Sequence, residues 1–132
     1  MNASREEYFI RTFIRKSKQE RLSYELFTPK KRYDGISRFC HQAGVFLDPS
    51  KTVLKGCDLE SQPAFRDFIS SHDELCAVIS LEGWLDGETL SLKEAVDRAS
   101  MSTDAVLILG STFAIVFGEA EKGGREKYLL CE

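Results

Sequence analysis

The sequence has no long hydrophobic run and no export signal. Its longest apolar stretches, at 105–109 and 113–117, are of strand length and far shorter than the roughly 20 residues of a membrane helix. The opening Met-Asn-Ala-Ser-Arg-Glu-Glu lacks the basic and apolar regions of a secretory signal. We therefore expect a cytoplasmic protein with no membrane partner.

Paired cysteine spacing is also missing. The sequence has four cysteines without the C-x-x-C spacing of zinc sites or redox motifs, so we predict reduced, buried thiols and no metal. Cys40 and His41 adjoin on a predicted helix, where neighbouring side chains point about 100° apart, which disfavours a nucleophile–base pair. Pairing of Cys57 or Cys76 with His72 stays open, although no spacing supports it. The cysteines are Cys40, Cys57, Cys76 and Cys131.

No glycine-rich phosphate loop is present. Gly110-Ser-Thr112 follows a predicted strand but leads into another strand, whereas phosphate loops join a strand to a helix. Gly123-Gly124 has the same setting, and neither segment carries a Walker lysine. These glycines are more typical of hairpin turns, and we expect no cofactor.

The composition is that of one globular domain. The chain has 132 residues, of which 42% are hydrophobic and 30% charged, values ordinary for a chain that buries a single core. Aromatic residues make up 11% and the net charge is only −3, which disfavours disorder. We predict a single α+β domain over residues 1–132.

Helix signals dominate residues 5–70. Ser4-Arg-Glu-Glu7 fits a capping box, and helical spacing of the apolar residues that follow predicts a helix over about 5–26, broken near 17–20. A β-hairpin is the alternative, because polar and apolar residues also alternate at 8–14 and 22–26, but no tight-turn residue lies between these two segments.

Thr28-Pro29 begins a second helix with Tyr33, Ile36, Cys40 and Ala43 on its apolar face and Gly44 at its end. An extended connection, 45–55, and a third helix, about 62–70, follow.

Strand signals dominate residues 75–131. Apolar runs predict strands at 75–81, 105–109, 113–118 and 127–131, with Lys122-Gly-Gly124 as the last turn and a helix opened by a second capping box, Ser91-Leu-Lys-Glu94. We predict N-terminal helices packed on a mostly antiparallel sheet of about four strands, ending in a three-stranded meander. Strands that are apolar on both sides must be covered on both faces of the sheet. A homodimer is one way to complete that cover.

Charge is unevenly distributed. Residues 1–33 hold nine Lys and Arg against four Glu, a net charge of +5, and the remainder holds nine against seventeen acidic residues, a net charge of −8. Arg11, Arg15 and Lys18 would form one stripe of the first helix, and Lys30, Lys31 and Arg32 cluster at the start of the second. Such a surface either tracks the phosphates of a nucleic acid or docks on the acidic part of its own chain. The overall negative charge favours an internal or solvated role.

The loop at 82–88 carries the remaining candidates. Asp86 and Glu88 flank Gly87 at a strand end, where sites tend to occur, but acidic residues in a turn are normally solvated. Trp84, the single tryptophan, is of a type enriched at binding hot spots. A lid over the core is the more frequent role of such a residue.

These observations favour a small cytosolic binding or regulatory module, not an enzyme, with an unknown protein partner. A nucleic-acid-associated protein using the basic N-terminal helices is the first alternative. An enzyme with its site near the 82–88 loop is the second. The candidate binding residues are Trp84, Asp86, Glu88, Arg11, Arg15 and Lys18.

Overall fold

The computed structural model describes residues 3–120 and 124–132. The helices in this part of the chain are α1 (Ala3–Phe13), α2 (Lys16–Leu26), α3 (Pro29–His41), α4 (Ala43–Phe46), α5 (Pro63–Ser71) and α6 (Leu92–Met101). The strands are β1 (Thr52–Lys55), β2 (Leu75–Ser80), β3 (Thr89–Ser91), β4 (Val106–Leu109), β5 (Phe113–Phe117) and β6 (Lys127–Cys131). Within these residues no helix is long and apolar enough to cross a membrane. Of the predicted last turn, Lys122 and Gly123 lie outside the described residues.

The strands form one antiparallel sheet in the order β1-β6-β5-β4-β2-β3. The α+β class and the meander of β4, β5 and β6 are confirmed, but the predicted number of four strands is wrong. Both additional strands are short edge strands, β1 within the predicted extended connection and β3 at the end of the predicted loop. They were missed because three or four residues give too short an alternation to recognise.

Helices of the same chain cover both faces of the sheet. Side chains alternate along the central strands, so that Leu107 packs in the cluster containing α1 to α4, and Ile108 packs in the cluster containing α5 and α6. This alternation explains why these strands are apolar throughout. Because helices of the same chain pack on both faces, the apolarity of the strands gives no reason for the homodimer that the sequence analysis considered as one way to cover them.

The N-terminal segment is helical, as predicted, but its break lies earlier than 17–20. Ile14 leaves the helix and forms a β-bridge with Leu47, while the Arg15 amide donates to the Phe46 carbonyl at 2.8 Å. The amide of Asp48 donates to the Phe13 carbonyl at 2.8 Å on the other side of the bridge. These long-range hydrogen bonds replace helical ones at the break, and no local signal reveals them.

Helix α3 turns a different face inward from the one predicted. Ile36 and Cys40 are buried as expected, but Tyr33 is exposed and Arg32 is buried in its place. The helix also ends at His41, before Gly44, which lies within α4. Gly35 faces α2 so closely that a Cβ there would lie 2.7 Å from the Glu25 Cβ, so a glycine is required for this helix pair.

Candidate binding surface around Trp84

The loop after β2 folds back on the strand that precedes it. The Gly87 amide donates to the Val78 carbonyl and the Val78 amide donates to the Glu88 carbonyl, both at 2.9 Å. Gly87 has φ of +86°, a left-handed conformation that costs glycine little. Asp86-Gly87 thus forms the turn that its sequence indicates, and the loop between Glu82 and Glu88 has a defined conformation.

Trp84 projects from this loop into solvent. Its side chain is 62% exposed, whereas the neighbouring Leu85 is buried in the core. The prediction that Trp84 forms a lid over the core is therefore wrong, because Leu85 takes that position. The Arg98 guanidinium of α6 lies 5.8 Å from the indole centroid, as a cation–π contact.

The C-terminal turn of α6 extends this exposed area. Met101, 85% exposed, lies three residues after Arg98 and therefore on the same side of the helix. The Ser102 hydroxyl donates to the Glu82 carboxylate, which holds the end of α6 beside the loop. We call Trp84, Arg98 and Met101 the Trp84 surface. The sequence analysis missed Arg98 and Met101. Their i, i+3 spacing, away from the apolar face of α6, would have indicated that they share an exposed side of the helix.

A buried ion network fixes the inner side of the same loop. Arg32 of α3 binds Glu6 of α1 through both terminal nitrogens, at 2.8 and 2.9 Å. Arg32 also binds Asp86 of the loop, through Nε and Nη2 at 2.9 Å each. Its fifth N–H donates to the Leu26 carbonyl at 3.1 Å, so every donor of the guanidinium is used. Arg32 is 7% exposed and Glu6 1%.

The network keeps Arg32 charged although it is buried. Burial alone lowers the pKa of the guanidinium, but the hydrogen bonds to Asp86 and Glu6 outweigh burial and raise the pKa above its ordinary value. Asp86 also accepts from the Ser80 amide at 3.1 Å. The expectation of a solvated Asp86 is therefore wrong. For Arg32, the internal role that the sequence analysis favoured applies, because it binds acidic groups of its own chain.

The other candidates from the sequence lie on the 82–88 loop, on α1 and α2, and at the break between these two helices. Glu88 belongs to the loop and is exposed. Arg15 donates to the carbonyls of Gly44 and Leu47 at 3.3 and 3.1 Å, and Lys18 lies 5.6 Å from the Phe46 ring centroid. Arg11, at the end of α1, is exposed. The break between α1 and α2 separates Arg11, Arg15 and Lys18, so they do not share the stripe of a single helix.

The cysteine and histidine candidates do not converge on the loop. Burial raises the pKa of the Cys40 thiol far above its ordinary value, while His41 is exposed and lies 3.5 Å from Glu119. Burial also raises the pKa of Cys76, to about 12. All four cysteines are free, but Cys57 is exposed and not buried as predicted. No group of residues suited to a metal occurs in the described ranges.

His72 and Asp86 lie toward opposite ends of β2. His72 precedes the strand, whereas Asp86 accepts from the amide of Ser80, the last residue of the strand. A groove of about 660 Å³ between α5 and α6 is lined by His72 but by no residue of the loop. Comparisons with protein-family models, with curated proteins and with solved structures find no match to this chain.

Proposed function

We propose that this protein is a binding module that recognises a protein partner through the Trp84 surface. The observation that carries the proposal is an indole 62% exposed to solvent on a loop whose other side is held by a buried ion network. Exposing a large aromatic side chain has no benefit to folding, whereas tryptophan is among the residues that contribute most to binding energy.

The composition of the surface supports the same function. Tryptophan, arginine and methionine are all enriched in the cores of protein interfaces. Arg98 is positioned over the indole and also binds Glu94 at 2.8 Å, so its side chain is ordered before a partner arrives. A surface ordered in advance loses less entropy on association and therefore binds more tightly for its size.

The loop chemistry favours binding over catalysis. Asp86, the carboxylate at the turn, already has both oxygens bound to Arg32, so its hydrogen bonds are directed into the protein and not toward a substrate. The exposed Glu88 has neither a histidine nor a cysteine beside it on the loop. A pair of titratable groups with opposed environments, which marks an acid–base site, is therefore missing from this loop.

The experiment tests whether replacing Trp84 prevents the protein from binding a partner, and whether replacing another exposed aromatic residue does not. Wild-type protein, Trp84→Ser and Tyr33→Ser are immobilised at equal density and exposed to extract from the source cells. Tyr33 is the matched control, because it is exposed like Trp84 but lies on α3. We expect at least one protein to be retained by wild type and Tyr33→Ser and lost with Trp84→Ser. Equal retention by all three would contradict the proposal.

A direct nucleic-acid binding assay tests the first alternative function, in which the basic N-terminal helices bind nucleic acid. Labelled DNA and RNA are titrated with wild-type protein and with the triple variant Arg11→Glu, Arg15→Glu, Lys18→Glu near physiological salt. We expect no micromolar binding by either, because Arg15 and Lys18 already contact α4 and the net charge is −3. Micromolar binding of nucleic acid by wild-type protein that is lost in the triple variant would favour the nucleic-acid function over the proposed one.

A further inference from the structure

The groove between α5 and α6 has room for a small organic ligand. Its volume of about 660 Å³ lies within the range of sites that hold such ligands. Phe65 and Ile69 of α5 and Val96 of α6 form its apolar part. None of the residues of the Trp84 surface lines the groove, so binding there does not depend on the proposed function.

The direction of the two helices fixes which residues share an end of the groove. The amide of Leu92, at the start of α6, donates to the carbonyl of Glu74, shortly after α5, at 3.0 Å. The hydroxyl of Ser100, near the end of α6, donates to the carboxylate of Glu60, shortly before α5, at 3.0 Å. Helices α5 and α6 therefore run in opposite directions along the groove.

Each end of the groove carries one cation and one carboxylate. Lys93 and Asp73 line the end where α6 begins, and Arg66 and Asp97 line the groove toward the other end. Neither Lys93 nor Asp73 takes part in an ion pair within the described residues. A ligand with a single charge meets attraction and repulsion at the same end, whereas a zwitterionic group meets a partner for each of its charges.

His72 adds a hydrogen-bond acceptor beside Asp73. Its Nδ1 lies 2.9 Å from the Phe68 carbonyl oxygen, and because a carbonyl only accepts, Nδ1 carries the hydrogen in the neutral ring. The ring is held by stacking on Phe68 at a centroid distance of 3.8 Å. The nitrogen of this groove-lining side chain that is left for a ligand is therefore Nε2, which accepts from an ammonium N–H.

We propose that the groove binds a free α-amino acid with a large apolar side chain. Lys93 binds the α-carboxylate and Asp73 binds the α-ammonium, which also donates to Nε2 of His72. The side chain of the ligand lies along the apolar part of the groove. The opposite end is less suited to the charged group, because its Glu60 already binds a lysine and a serine of the chain.

The test uses four probes that share parts of one amino acid. L-Phenylalanine carries both charges and the side chain, N-acetyl-L-phenylalanine lacks the positive charge, L-phenylalanine amide lacks the negative charge, and glycine lacks the side chain. Each is titrated into the wild-type protein, and amide chemical shifts are followed by NMR. Because an exposed ion pair contributes up to about 1 kcal/mol, we expect about fivefold weaker binding when either charge is removed, and no saturable binding of glycine.

Variants assign each charge of the ligand to its partner. In Asp73→Asn we expect that acetylation no longer weakens binding, and in Lys93→Gln that amidation no longer does. Asp97→Asn and Arg66→Gln are the matched controls, because they remove the same charges toward the other end, and both effects should persist in them. Equal affinity of phenylalanine and its two blocked forms, loss of the effects in the control variants, or no shifts at millimolar phenylalanine would overturn the proposal.

Discussion

The 82–88 loop contacts an arginine on each of its two sides, Arg32 on the inner side and Arg98 on the outer side. One arginine is buried and fully bonded, and the other reaches solvent. On the inner side, Asp86 lies against Arg32, whose five donors are all occupied and whose second carboxylate partner is almost fully buried. On the outer side, Arg98 lies over Trp84, and both side chains reach solvent. The inner arginine connects three segments of the chain, whereas the outer arginine leaves its surface open to another molecule.

This difference shows how a short loop supports an exposed tryptophan. Loops are ordinarily the more mobile parts of a fold, and a mobile indole loses entropy when it is bound. Here the two bonds between Arg32 and Asp86 and the burial of Leu85 fix the loop from within. Changes on the inner side should therefore affect mainly the stability of the fold, and changes on the outer side should affect mainly binding.

The largest effect is expected from Arg32→Met. This substitution leaves the carboxylates of Glu6 and Asp86 without their cation, and breaking a buried ion network from one side typically costs about 3–5 kcal/mol. Urea unfolding followed by circular dichroism gives the free energy of unfolding. Arg98→Met is the matched substitution on the outer side, with an expected loss of about 1 kcal/mol or less. Equal losses in the two variants would contradict the distinction between the two sides.

Two adjacent residues provide the next comparison. Leu85→Ala removes a buried side chain and should lower the free energy of unfolding by about 2–5 kcal/mol. Trp84→Ala removes an exposed one and should lower it by about 1 kcal/mol or less, the value of its contact with Arg98. Thermal and urea unfolding of both variants test this order. A larger loss for Trp84→Ala would show that the indole packs against the protein.

A smaller effect is expected from Asp86→Asn. The substitution keeps the shape of the side chain but removes its charge and replaces one of the two oxygens that accept from Arg32 with an NH2 group, which cannot accept. Hydrogen bonds to charged groups contribute about 1.5–3 kcal/mol. Arg32 keeps Glu6 as a partner, so the loss should fall below that of Arg32→Met. Hydrogen exchange should accelerate at the Gly87 amide, whose bond to Val78 closes the loop, and unchanged exchange would show that Asp86 does not hold the loop.

The sequence predicted what depends on local patterns. The N-cap of the second capping box is confirmed, since the Ser91 hydroxyl accepts from the Glu94 amide at 3.3 Å, while the Glu94 carboxylate binds Arg98. Helices α5 and α6 and the four longer strands lie close to their predicted positions. The helix break at Ile14 and Arg15 was placed too late because its cause is a bridge to residue 47. Local periodicity contains no information about a partner more than thirty residues away.

The candidate site was predicted only in part, for a related reason. A turn at Asp86-Gly87 follows from residue type, but the identity of the buried partner does not. Arg32 was grouped with Lys30 and Lys31, and its burial depends on how α1, α3 and the loop meet in three dimensions. Likewise Leu85, not Trp84, enters the core, and a sequence with two adjacent large apolar residues does not indicate which one points inward.

Fluorescence of the single tryptophan tests the open Trp84 surface most directly, because all indole emission comes from Trp84. The measurement is the emission maximum and the acrylamide quenching constant of the native protein, compared with the same quantities in urea. With 62% of the side chain exposed, we predict a red-shifted native emission close to that of the unfolded chain and quenching nearly as efficient. A strongly blue-shifted native emission that acrylamide fails to quench would contradict the account, because the indole would then be buried.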